Sequence, residues 1–102
     1  MKQYKIYTIE KGIVETDILN DNLLKLTWHR EDGPAFIEYV NNGNVAYEVY
    51  YVNGKQHRLD GPASIFYAQN SNIQIVSYYI NGKFYSKKDY NREILEFKFK
   101  SL

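Results

Sequence analysis

His29-Arg30-Glu31-Asp32-Gly33-Pro34-Ala35 recurs as His57-Arg58-Leu59-Asp60-Gly61-Pro62-Ala63, so the chain repeats itself with a shift of 28 positions. The identity runs past the heptapeptide: Ile37, Tyr39, Asn42, Asn44, Tyr50, Tyr51, Asn53, Gly54 and Lys55 return as Ile65, Tyr67, Asn70, Asn72, Tyr78, Tyr79, Asn81, Gly82 and Lys83. A unit of this size is one supersecondary element that cannot bury its own apolar face, so units stack and the terminal ones are modified into caps. With 102 residues there is room for one domain and one small core.

Within each unit the dominant signal is alternation. Residues 34–40, 45–52, 62–68 and 73–80 are rich in β-branched and aromatic side chains and are bounded by Gly, Asn and Asp, which predicts strands. The turns carry their own chemistry: Asn42-Gly43-Asn44 joins the first strand of a unit to the second, while Asn53-Gly54 and Asn81-Gly82 accept positive φ at little cost. Pro34 and Pro62 lack a ladder N–H and suit a strand's first residue. Because the shift is even, a side chain keeps its face from one unit to the next. Simple alternation then gathers Ala35, Ile37, Tyr39, Val45, Tyr47, Val49 and Tyr51, with their repeats, on a core face. It sends Phe36, Glu38, Ala46, Glu48, Tyr50, Phe66 and Tyr78 to a second, mixed face.

The ends depart from the pattern. Residues 4–10 and 13–17, a turn at Lys11-Gly12, an Asn/Asp cluster at 20–22 and an apolar segment at 23–28 form a degenerate version of the same plan. At the other end Tyr85-Ser86 replaces His-Arg. Ser86 with Asp89 makes a helix N-cap, and Tyr90, Ile94 and Phe97 follow at helical spacing with Leu95 beside them. The expected fold is mainly β: an antiparallel meander of repeated hairpins with a C-terminal capping helix. Its parts are an N-terminal capping unit at 1–28, repeat 1 at 29–56, repeat 2 at 57–84 and a helical cap at 85–102. The Tyr90, Ile94 and Phe97 stripe is expected to dock on the face of Ile37, Tyr47, Ile65 and Ile75 or at the sheet's adjoining edge.

The segments 50–63 and 79–83 resemble the His-Arg-x-Asp-Gly-Pro-Ala repeats of bacterial, phage and giant-virus proteins, which look like a longer variant of the MORN repeat. The resemblance covers about residues 23–97. It implies an antiparallel hairpin array acting as an interaction scaffold, and in a phage or mobile-element setting an inhibitor or decoy of a host defence protein. It transfers no catalytic residues. The chain has few strand glycines and no basic lipid-facing patch, which speaks against the membrane attachment associated with MORN arrays.

Thirteen basic against twelve acidic residues leave a charge of +1, which is no footprint for nucleic acid or an anionic membrane. The absence of cysteine removes disulfides, thiolate zinc sites and cysteine nucleophiles, and the polar N-terminus does not read as an export signal, so a cytoplasmic protein is expected. Aromatics make up 17% of the chain, with Tyr 11, an enrichment that fits protein interfaces.

His29 and His57, with Asp32 and Asp60, could be general base and orienter, or the two halves of a metal site. No Ser or Thr stands beside either His, and no third ligand type recurs. Together with Gly33 and Gly61 they read better as structural loop residues, with Asp accepting backbone N–H groups and His and Arg packing over tyrosines. The expectation is therefore a non-enzymatic protein-binding module without metal or cofactor, with binding candidates Phe36, Glu48, Tyr50, Phe66, Tyr78, Arg30 and Arg58. The Tyr/Phe face is either a second core layer under the N-terminal segment or an exposed recognition stripe. The alternative function is a small-ligand or nucleotide sponge using the Tyr-lined face and the loop arginines.

Overall fold

The computed structural model describes residues 2–70, 72 and 74–100, so Ile73, the expected start of the fourth strand, lies outside the described residues. The described chain forms β1 (Gln3–Thr8), β2 (Gly12–Thr16), α1 (Asp21–Leu24), β3 (Phe36–Tyr39), β4 (Val45–Val49), β5 (Tyr51–Val52), β6 (Lys55–Gln56), β7 (Ser64–Tyr67), β8 (Gln74–Ile80), β9 (Lys83–Tyr85) and α2 (Lys87–Lys100). Seven strands make one sheet in the order β2-β1-β3-β4-β7-β8-β9, and β5 and β6 form a separate two-stranded ribbon. Every pairing is antiparallel. The molecule is mainly β, an array of hairpins ending in a helix.

The two units are built alike. Asn53 and Asn81 have φ of 51° and 50°, and the glycines after them 79° and 82°, the doubly left-handed geometry of a tight hairpin turn. Gly54 N–H donates to the Trp28 carbonyl at 2.9 Å, and Gly82 N–H to the Gln56 carbonyl at 2.8 Å, the same bond one repeat later. The expected strand over 45–52 breaks at Tyr50, where the chain bends out of the large sheet into the ribbon, whereas β8 runs straight through the equivalent position.

Simple alternation assigns the faces wrongly. Phe36 pairs with Val49, Ile37 with Glu48 and Glu38 with Tyr47, but Tyr39 pairs with Val45, so the register shifts between Glu38 and Tyr39. An extra residue at such a bulge moves every later side chain to the other face. Phe36, Tyr47 and Val49 therefore share one face with Ile6, Phe66, Ile75 and Tyr79, and Ile37, Glu48 and Ile65 share the other with Val76 and Tyr78.

On the first face Ile6, Leu23, Phe36 and Val49 form the core, with Leu26, Trp28, Tyr47 and Tyr51 packed against them. The segment 23–28 is not a strand. Asn20 caps the four-residue α1 by accepting the Leu23 N–H at 3.1 Å, which turns Leu23 into the core. Trp28 then stacks on Phe36 with centroids 5.2 Å apart and meets Tyr51 edge-on at 5.3 Å, its indole N–H bonded to the Leu23 carbonyl. At the other end Ser86 Oγ accepts the Asp89 N–H at 3.2 Å and starts α2. The helix docks through Tyr90, which is 4% exposed, against Tyr78. It therefore sits on the face of Ile37 and Ile65, opposite the one bearing Tyr47 and Ile75.

Candidate functional site

The repeated loops are two copies of one hydrogen-bonded device. Arg30 Nε donates to Asp32 Oδ1 at 2.9 Å and its Nη1 to the Pro34 carbonyl at 3.2 Å. Arg58 does the same to Asp60 and Pro62, both at 3.0 Å. The aspartates thus accept from the arginine. The Arg30 guanidinium, through this bond and its charge, holds the Asp32 carboxyl below the usual carboxylate range. A Cβ on Gly33 would lie 2.7 Å from the Arg30 guanidinium carbon, and on Gly61 2.9 Å from that of Arg58, so the glycine is the surface on which the arginine lies.

The histidines hold the next turn. His29 Nδ1 accepts the Asn53 N–H at 2.9 Å, and His57 Nδ1 accepts the Asn81 N–H at 3.0 Å. Accepting there requires a neutral ring with its proton on Nε2. Burial pushes the His57 imidazole below its ordinary value, in the direction the bond needs. Nε2 of His29 lies 3.8 Å from Glu31.

Each guanidinium also covers a tyrosine ring at 4.0 Å, Arg30 over Tyr7 and Arg58 over Tyr50. Tyr7 is outside the repeat register, yet its backbone does what that of Tyr50 does. Tyr7 N–H donates to Ala35 O and its carbonyl accepts from His29 N; Tyr50 makes the same bonds to Ala63 and His57. The N-terminal hairpin thus supplies a substitute for the missing tyrosine, and no spacing in the sequence marks it. In the third unit Tyr78 has no arginine to cover it, and Tyr90 takes that place with centroids 4.7 Å apart. Its hydroxyl donates to the Arg58 carbonyl at 2.6 Å and accepts the Gly61 N–H at 3.3 Å.

The candidate binding residues separate accordingly. Arg30, Arg58 and Tyr50 line a groove of about 490 Å³ between the two loops, with Asp32, His57 and Leu59. Glu48 accepts a hydrogen bond from Tyr67, whose hydroxyl is pushed up to about 12 by burial and by that carboxylate. Tyr78 is partly buried under Tyr90, and Phe36 is buried under Trp28. Phe66 alone of the aromatic candidates stands out, 45% exposed and edge-on to Tyr47.

Phe66 belongs to a surface that alternation does not gather. On its face it pairs with Ile75, 63% exposed, and further along β8 Tyr79 packs edge-on to Phe84, 60% exposed. Tyr51 closes the row between Tyr47 and Tyr79, and burial beside those rings raises its hydroxyl pKa. In the first unit Trp28 packs on Phe36 and Tyr51, whereas one repeat later the residue at its position is Gln56. Gln56 Oε1 is buried and has no hydrogen-bond partner among the described residues.

No family model, no curated protein and no solved structure matches the chain. Among the described residues no helix is long and apolar enough to cross a membrane, and no three His, Cys, Asp or Glu side chains gather into a metal-binding group.

Proposed function

We propose that the chain is a non-enzymatic protein-binding module whose docking surface is the face bearing Phe66, Ile75, Tyr79 and Phe84. One observation carries this reading. The polar groups that would do chemistry are engaged inside the fold, His with Asn and Arg with Asp, Pro and Tyr, while large apolar side chains stand exposed in a row. An exposed apolar stripe with aromatic anchors is the composition of an interface centre. The resemblance to phage and bacterial repeat arrays supports a role as an inhibitor or decoy of a host protein. The rival reading, a sponge for an anionic small molecule, has the groove between the loops in its favour. The prior engagement of both arginines weighs against it.

The two readings are separated by thermal shift against nucleotides, since a ligand at a hundredfold excess over its Kd adds about 2.7 kcal/mol of stability. The module reading expects no shift. It also expects that a partner captured from the native host binds a folded Phe66→Ala, Phe84→Ala double variant more weakly, by about 1 kcal/mol or more for each anchor. Unchanged binding would remove this face.

A further inference from the structure

The outer edge of β8 is open over residues 74–77. On β4 the equivalent edge is filled by β7, with Tyr47 opposite Phe66, Glu48 opposite Ile65 and Val49 opposite Ser64. One repeat later the edge residues are Ile75, Val76 and Ser77, and the chain that would pair with them, residues 92–95, is wound into α2. β9 occupies the outer edge only beside Tyr78, Tyr79 and Ile80, and α2 leaves over the Tyr78 face. Among the described residues no strand pairs with 74–77 on that side. Ile75 and Val76 are accordingly 63% and 38% exposed, where their equivalents Tyr47 and Glu48 are partly buried. The stretch carries no charge and no proline, two of the devices by which sheet edges are normally kept from pairing. β2, the opposite rim of the sheet, carries Glu15.

We infer that this edge receives an extended segment of a partner protein as an added antiparallel strand, in the place vacated when the third unit became a helix. The inference rests on the binding-module reading and names how the partner docks. The register fixes the chemistry of the segment. The residue opposite Val76 lies on the Ile65 face and the residue opposite Ile75 on the Phe66 face. Both neighbours are aliphatic, so two consecutive β-branched or aromatic residues fit, while main-chain hydrogen bonds hold the strand. An antiparallel segment enters with its N-terminal side beside Tyr85 and Ser86, next to Lys87 and Lys88, so acidic residues ahead of the strand complement the site. A second copy pairing through its own β8 fits less well, because its preceding residues 69–73 contain no acid.

The test uses a synthetic peptide carrying the β7 sequence Ser64–Tyr67 behind two glutamates, with amide hydrogen exchange of the full chain read by NMR. The peptide should slow exchange at Gln74 and Val76, whose N–H groups face the open edge while those of Ile75 and Ser77 face β7. The protection should survive Ile75→Val and vanish in Ile75→Lys at an unchanged melting temperature, and a proline in the peptide's second strand position should abolish it. Two results would overturn strand addition: peptide that leaves Gln74 and Val76 unprotected, or a dimer of the free chain that Ile75→Lys dissolves. Either leaves the binding-module reading standing, because that reading is decided separately by the Phe66→Ala, Phe84→Ala comparison with the captured partner.

Discussion

Tyr90 lies on Tyr78, ring centroids 4.7 Å apart, in the seat that Arg58 occupies 4.0 Å above Tyr50. The helix thus ends the array by imitating the next unit's arginine, and its hydroxyl ties it back to the Arg58 carbonyl and the Gly61 N–H of the preceding loop.

Removing only that hydroxyl, in Tyr90→Phe, should cost about 1 kcal/mol, the net worth of a typical hydrogen bond. Tyr90→Ala should cost about 3 kcal/mol or more, because it empties a buried aromatic site and uncovers Tyr78. Urea denaturation of the two variants checks the order. Equal losses would mean that the ring stack contributes nothing.

Gly61→Ala should lower stability by about 1–3 kcal/mol, since Gly61 has φ of 158°, which strains an L side chain, and the new Cβ also meets the Arg58 guanidinium at 2.9 Å and must push it off the Tyr50 ring. If that collision is the cause, the loss shrinks in an Arg58→Ala background, which a double-mutant cycle reads directly. Strict additivity would place the cost in the backbone instead.

The repeat, its turns and its terminal helix are legible in the sequence because each rests on local chemistry: Asn-Gly pairs, Ser86 three residues before Asp89, and residues that recur at a constant shift of 28. The faces are not legible in the same way. The shift between Glu38 and Tyr39 leaves no residue signature, and it exchanges the expected partners of Phe36 and Ile37. Tyr7 is hidden for a different reason: it meets Arg30 and His29 through the fold, at a spacing unlike that of Tyr50 from Arg58 and His57. The exposed row of Phe66, Ile75 and Phe84 is visible only once the register is known.

Acid should loosen the array through His57. Its folded pKa lies below the ordinary value, so stability is intact above about pH 6.5. It is lost as pH falls from there through the lower folded value, because the unfolded chain takes up the proton first. Protonation also removes the acceptor for the Asn81 N–H. The urea midpoint of the wild type should fall toward that of His57→Gln between about pH 7.5 and pH 5. A gap between the two that is the same at both pH values would exclude this coupling.

The central claim is that the repeated His, Arg and Asp hold the hairpins together and do not wait for a ligand. Its most direct test is the unfolding free energy of Arg58→Ala against the wild type in urea, without added ligand. Losing the ring stack and the bonds to Asp60 and Pro62 should cost about 1–2 kcal/mol, because solvent screens the pair on the exposed Asp60 side. An Arg58→Ala chain that unfolds at the wild-type midpoint would contradict the account and return the arginine to the groove as a binding residue.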